Sequence, residues 1–272
     1  MTLSATGLHA GYGDRVVVDG VDLELRPAST TVVIGPNGCG KSTLLRALGR
    51  LLVPRAGEAS LDGRDVRAWP TRALARRLAL LPQSASAPAG LTVRELVARG
   101  RHPHQGLLRG PGAEDAAVVA ETLETVGLAG EADRPLEQLS GGQRQRAWLG
   151  LTLAQRTDVL LLDEPTTFLD LAHAVEVLDL VHRLTVRDRL TTVAVLHDLG
   201  LAARYADRLV VMHHGRVHTA GPPREVLTAG LLEEVFGLTA RILTDPDTGD
   251  PVVVPHTAVR RSADRPTEEI HP

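Results

Sequence analysis

Gly35-Pro36-Asn37-Gly38-Cys39-Gly40-Lys41-Ser42-Thr43 decides how the rest of this chain is read. The apolar Thr31-Val32-Val33-Ile34 precedes it, and Leu44, Leu45 and Leu48 follow on one helical face. A strand, a glycine loop and a helix in that order make a phosphate-binding loop. Gly35, Gly38 and Gly40 let successive backbone N–H groups, with those of Asn37 and Cys39, turn inward around phosphate oxygens, and the helix adds its positive end. Lys41 is the only lysine among thirty basic side chains, the other twenty-nine being Arg. A compact ammonium on a flexible stem reaches between β- and γ-phosphate oxygens over a closely wrapped backbone, where a planar guanidinium is too bulky. Ser42 is placed to hold Mg²⁺, and Thr43 to reach the α-phosphate.

Other apolar runs end on polar residues in the same way. Leu78-Ala79-Leu80-Leu81 stops at Pro82-Gln83, Val159-Leu160-Leu161-Leu162 at Asp163-Glu164, and Thr192-Val193-Ala194-Val195-Leu196 at His197. Helical patterns separate these runs, one of them with Leu171, Val175, Leu178, Val181 and Leu184 on its expected apolar face. Such alternation predicts an α/β chain with a largely parallel sheet and ligands at the carboxyl ends of its strands. Four strand ends therefore converge on one site. Paired acids at a strand end are commonly solvated turn residues, but here they follow four apolar residues and face a phosphate loop. Asp163 would bind Mg²⁺ through water, and Glu164 would orient or deprotonate an attacking water. A lone histidine is more often structural than functional. At this position His197 could donate to the γ-phosphate or to that water. Gln83, a neutral amide, could touch Mg²⁺ or its water and sense the γ-phosphate.

Between about 84 and 157 the texture changes. A Ser/Ala/Pro linker from Ser84 to Gly90 leads to Thr92, a helix cap before Val93, Leu96 and Val97. A second helix is expected from Ala113 to about Val126, and a third after Ser140-Gly141-Gly142. This reads as a helical insert within the α/β chain. The Leu139-Ser140-Gly141-Gly142-Gln143 segment is either a capped helix start or a second anion site. One nucleotide hardly needs two such sites from one chain, so the second points to a neighbouring subunit. Beyond Gly237, Asp245-Pro246-Asp247-Thr248-Gly249 between Ile242-Leu243-Thr244 and Val252-Val253-Val254 predicts a small hairpin, and the charged last dozen residues are expected to be disordered.

Composition narrows the class. The 272 residues suffice for a full core, and a net charge of −3 with interspersed signs gives no field directed at nucleic acid. The longest apolar stretches fall far short of the ~20 residues of a membrane helix. No basic segment followed by an apolar one opens the chain, and Cys39, the only cysteine, cannot form an internal disulfide. We expect a cytoplasmic protein. As the one thiol in the phosphate loop, Cys39 is expected to inactivate the protein when alkylated, with ATP protecting.

With these motifs in view, the chain resembles the nucleotide-binding subunit of an ATP-binding-cassette (ABC) transporter over roughly residues 3 to 236. The order is that of the family: the aromatic Tyr12, the Walker A loop at 35–43, Gln83 of the Q-loop, the signature at 139–143, Walker B at 159–164, the D-loop ending Leu169-Asp170, and the switch His197. The resemblance implies a P-loop NTPase (RecA-like) fold with an antiparallel β-subdomain and an inserted α-helical subdomain in residues 1–236, then the hairpin and tail at 237–272. It implies ATP and Mg²⁺ as ligands, with Tyr12 stacked on adenine. It also implies a head-to-tail homodimer in which Ser140, Gly141, Gly142 and Gln143 meet the ATP of the opposite subunit and Asp170 couples the two sites. No catalytic element is missing, so the resemblance implies a hydrolysing subunit.

Finer pointers are the Arg99-Gly100-Arg101-His102-Pro103-His104-Gln105-Gly106 segment, the Asp163 to His173 segment, and the 242–254 hairpin. These are similar to the ATPases of bacterial ferric-siderophore importers, with cobalamin and haem importers as close relatives. The partners so implied are two membrane permease subunits and, indirectly, an external solute-binding protein, with the ATPase peripheral on the cytoplasmic face of the membrane. Arg101-His102-Pro103-His104 invites a metal-ligand reading, but Pro103 intervenes and no acidic or Cys partner is close in sequence, which favours a surface loop. Soluble ABC proteins acting on DNA or the ribosome form the alternative class. They generally carry a second cassette or a coiled-coil arm, and 272 residues hold neither.

Overall fold

The structure, a computed structural model, describes residues 1–83, 87–106, 110, 112–167 and 169–258. The chain opens with β1 (Leu3–Tyr12) and β2 (Arg15–Glu24), in which alternation buries Val21 and Leu23 and exposes Asp22 and Glu24. β3 (Thr30–Ile34) runs through the glycine loop into α1 (Lys41–Leu48). β4 (Ala56–Leu61) and β5 (Arg64–Asp65) turn about Asp62-Gly63, and α2 (Thr71–Ala75) precedes β6 (Leu78–Leu81). Three helices follow: α3 (Val93–Arg99), α4 (Ala113–Thr125) and α5 (Gly141–Ala154). The α/β pattern returns with β7 (Val159–Asp163), α6 (Leu171–Asp188), β8 (Thr191–Val195) and α7 (Leu199–Tyr205). β9 (Arg208–His213), β10 (Arg216–Gly221), α8 (Pro223–Val226) and α9 (Ala229–Phe236) lead to a last hairpin, β11 (Leu238–Thr244) and β12 (Pro251–Ala258).

The main sheet has the order β10-β9-β3-β8-β7-β6, and every pair but β10–β9 is parallel. Its parallel strands are buried at nearly every position because both faces are covered. Val32, Ile34, Leu160, Leu162, Leu209 and Val211 enter one core, while Val33, Val159, Leu161, Val210 and Met212 enter the other. Helices α3 to α7 and α9 fill the first core. The second lies under α1 and an antiparallel sheet of order β2-β1-β4-β5. Leu44, Leu45 and Leu48 of α1 are fully buried there, each contributing about 1.5–3 kcal/mol. The glycine loop is thus fastened on a rigid helix and a rigid sheet.

Several local features differ from the sequence expectation. Leu171 is 67% exposed; the buried face of α6 is Ala174, Val177, Leu178, Val181 and Leu184, because the first turn of the helix projects beyond the core. Helix α5 starts at Gly141, so both glycines lie in its first turn. Ser140 is the cap, accepting from Gln143 N–H at 3.2 Å while Gln143 Oε1 accepts from Ser140 N–H at 3.1 Å. Arg101 is no surface residue. Only 2% exposed, it pairs with Asp115 at 2.9 Å and donates to the Ala154 carbonyl at 2.9 Å. The turn after it is clamped too: Arg76 donates to Pro103 O at 2.7 Å, and His104 Nε2 lies 2.7 Å from Gln155 O. A charge this deep is stable only when paired and fully hydrogen-bonded, and Asp115 and the free carbonyl at the end of α5 provide that.

The final hairpin is longer than the sequence reading, and Ile242 and Val253 pack on the first core. Ser84, Ala85 and Ser86 of the expected linker, and the last dozen residues, lie outside the described residues.

Candidate active site

The carboxyl ends of β3, β6, β7 and β8 meet over one cleft of about 690 Å³, with Lys41, Ser42 and Thr43 on one side and Gln83, Glu164 and His197 on the other. Gly35 leaves β3 with φ 150°, and a methyl group there would lie 2.2 Å from the Met212 carbonyl oxygen, so only glycine lets the loop pass β9. Lys41 is 4% exposed. Its ammonium donates to Gly35 O at 2.8 Å and Pro36 O at 3.0 Å, which holds it across the mouth of the loop.

Ser42 Oγ donates to Asp163 Oδ1 at 2.7 Å, closing the contact between loop and β7. Asp163 is 1% exposed, and burial pushes its carboxyl above the usual carboxylate range despite the Ser42 hydrogen bond. Its Oδ2 is buried without a hydrogen-bond partner among the described residues. An orphaned carboxylate oxygen next to a serine hydroxyl, at the foot of a phosphate loop, is the hard-oxygen donor set that suits Mg²⁺. The residues present fit the ion.

Glu164 is the centre of a second network. Gln83 Nε2 donates to its Oε2 at 2.6 Å, Thr167 Oγ1 donates to the same oxygen at 3.0 Å, and His197 Nε2 lies 2.6 Å from Oε1. Burial alone would raise this carboxyl. The bonds from His197, Thr167 and Gln83, with the charge of His197, more than reverse that and hold it below the usual range. Glu164 is therefore ionised at neutral pH, better suited to orienting a water than to holding its proton. Its backbone is left-handed at φ 55°, a conformation costing about 1–2 kcal/mol in a non-glycine residue. The strain persists because the side chain is fixed at both oxygens. Thr167 was not legible as a partner, although the turn from Glu164 O to Thr167 N–H (3.2 Å) is the local signal that brings it back. Arg46 was missed as well: it donates to Tyr12 Oη at 3.0 Å, and its charge acts on Asp163.

Other sequence candidates lie elsewhere. Tyr12 stands outside the cleft lining with 47% of its surface exposed, leaving its ring open to a stacking partner. Neither residues 140–143 nor Asp170 line the cleft. Asp170 caps α6, accepting from His173 N–H at 2.9 Å, and Phe168 of the same loop lies outside the described residues. Cys39 faces the core rather than the phosphates. It is 7% exposed, and burial raises its thiol, with the charge of Lys41 only partly opposing. Iodoacetamide is accordingly expected to label Cys39 much more slowly in the folded chain than in urea, followed by mass spectrometry. Labelling at the rate of a free thiol would contradict this placement.

A glycine loop on a parallel sheet, with a lysine, a metal-suited aspartate and a hydrogen-bonded glutamate, defines a P-loop ATPase. The ABC transporter family profile matches residues 18–167, and the chain belongs to that family as an ATP-binding, ATP-hydrolysing cassette. It is 45% identical to the petrobactin import ATP-binding protein FpuD of Bacillus anthracis, over 95% of each chain. It is also 45% identical to the ferric enterobactin transport ATP-binding protein FepC of Escherichia coli, over 91% of this chain and 92% of that one. The hemin import ATP-binding protein HmuV of Streptomyces coelicolor is 46% identical over 93% of this chain and 89% of its own. Among solved structures, an inward-facing ABC transporter provisionally assigned to the metal-chelate type superposes with a TM-score of 0.81 at 27% identity, covering 94% of this chain and 97% of that one. A dimeric bacterial ABC transporter cassette superposes at 0.72 with 26% identity, covering 81% and 98%. Among the described residues, no helix is long and apolar enough to cross a membrane.

Proposed function

We propose that this chain is the ATP-hydrolysing subunit of a bacterial ferric-siderophore importer, working as a homodimer beneath two membrane permease subunits on the cytoplasmic face of the membrane. The observation that carries the reading is near-full-length similarity to import ATP-binding proteins for petrobactin and ferric enterobactin. The comparable identity to a hemin import protein favours haem, with cobalamin beside it, as the second reading. An external binding protein would deliver the ferric chelate to the permease.

Within each subunit, Lys41 and the 35–43 backbone bind the triphosphate, and Tyr12 stacks on adenine, a contact of ~1–3 kcal/mol by analogy with base stacking. Ser42, Gln83 and, through water, Asp163 would hold Mg²⁺, which when bound neutralises charge on the β- and γ-phosphates. Gln83 donates its amide N–H to Glu164 and keeps its amide oxygen for the metal side. Glu164 orients the attacking water, and His197, which contacts Glu164 and lines the same cleft, would donate to the γ-phosphate or to that water. Residues 140–143 and Asp170 lie away from the cleft of their own subunit, which supports their use on the partner's ATP. ATP binding closes the dimer, the helical insert presses on the permease, and hydrolysis resets the assembly.

The test is uptake of radio-iron as ferric siderophore in native cells, comparing the intact protein with Glu164→Gln at equal expression. Uptake is expected to fall to background in the mutant. Unchanged iron uptake would move the substrate to haem or cobalamin, measured next in the same cells.

A further inference from the structure

Gly142 occupies the first turn of α5 with an ordinary helical backbone, where glycine is the poorest residue after proline. Its local reason comes from another helix. A methyl group on Gly142 would lie 3.0 Å from Cδ2 and 3.3 Å from Cγ of His173, so the imidazole rests directly on the glycine. His173 sits in the first turn of α6, thirty-one positions away in sequence (173 − 142 = 31).

The ring is held from its other side by Asp170. One carboxylate oxygen, Oδ1, accepts from the His173 backbone N–H at 2.9 Å and lies 2.8 Å from ring Nδ1. These two bonds, backbone first and ring second, hold the Asp170 carboxyl below its usual range. A carboxylate can only accept, so Nδ1 carries the proton and the ring plane is fixed. Further along the same two helices, Arg146 of α5 approaches Glu176 of α6 at 3.7 Å. Two contacts therefore join the start of the glycine segment to the start of α6. Neither contact reaches the cleft of its own subunit.

We propose that His173 is a positioning residue that locks the 140–143 segment to Asp170, so that both present to the partner subunit's nucleotide as one rigid unit. This rests on the homodimer reading above. A displacement of about 1 Å in such a constellation can cost ~10²-fold in rate, so loss of the lock acts on turnover and on communication between sites, while each chain still binds ATP through its own loop.

The test uses the assembled transporter carrying His173→Ala, His173→Asn or His173→Phe. Asn keeps a donor towards Asp170 and loses the ring over Gly142; Phe keeps a ring and loses the donor. For His173→Ala, kcat is expected to fall roughly 10-fold with the Hill coefficient for ATP moving towards one. Fluorescent-nucleotide affinity of the full chain should stay within about two-fold, because the cleft is untouched. Asn and Phe should each restore part of kcat. Unchanged kcat and cooperativity in His173→Ala would overturn the proposal. So would a parallel loss of nucleotide affinity and thermal stability, which marks a merely structural role. A single copy of this chain in the purified wild-type transporter, counted by native mass spectrometry, would remove the homodimer reading itself, and this proposal with it.

Discussion

Glu164→Gln is expected to lower ATP turnover by ~10²-fold or more while leaving ATP binding intact. The substitution preserves shape but exchanges one carboxylate oxygen for an N–H donor. Both oxygens of Glu164 already face donors: Gln83 and Thr167 on Oε2, His197 on Oε1. With its N–H on the Oε2 side the new amide meets the Gln83 donor; turned the other way it forces His197 Nε2 to accept instead of donate. In both cases the negative charge proposed to orient water is gone. ATP binding is expected to be spared because Lys41 and the loop backbone, the groups proposed to hold the phosphates, make their own contacts without Glu164. Phosphate release by the assembled transporter and nucleotide binding to the full chain measure the two effects separately. Turnover within a few-fold of wild type would remove Glu164 from its role. Since the native carboxyl lies below the usual range, Glu164 stays ionised throughout the neutral range, and any loss of activity on mild acidification belongs to another group.

The second large effect is expected at Lys41. Arg is the basic residue everywhere else in this chain, yet Lys41→Arg is expected to weaken ATP binding by ~10-fold or more and hydrolysis by ~10²-fold. The ammonium is 4% exposed, and two carbonyls of its own loop lie within 3.0 Å of it. A guanidinium needs a broad planar slot, and the loop has no slack to open one. Gly35 already passes so close to β9 that a methyl group would collide with Met212 O. Thermal denaturation distinguishes the outcomes: a folded variant lacking ATP-dependent stabilisation supports the argument. Wild-type turnover in a folded Lys41→Arg chain would sink it.

Both expectations begin from residues that the sequence makes conspicuous. The lone lysine, the glycine spacing and the acids after an apolar run are local patterns. Their chemistry is carried by neighbours within a few positions, so they can be read without coordinates. The parallel sheet was legible for a similar reason: strands covered on both faces show as unbroken apolar runs, and their ends can be counted.

What escaped depends on which distant side chains meet. Leu171 matched the spacing of an apolar face, yet it is exposed, because periodicity does not say where along a helix the core stops. Arg101 looked like a surface charge until Asp115 and the Ala154 carbonyl appeared beside it. Cys39 belonged to the phosphate loop by sequence, but its side chain packs into the second core.

The sequence by itself determined the family and the order of the strand ends, and it singled out the candidates for binding phosphate, holding the metal and orienting water. These follow from short segments whose backbone and charge requirements few residues meet. Only the tertiary structure decided that Thr167 completes the hold on Glu164, that Asp163 keeps one oxygen unpartnered among the described residues, and that His173 rests on Gly142. Those are choices of partner made by packing, where a side chain's role depends on which helix or strand lies within about 3 Å of it, and no local pattern encodes that distance.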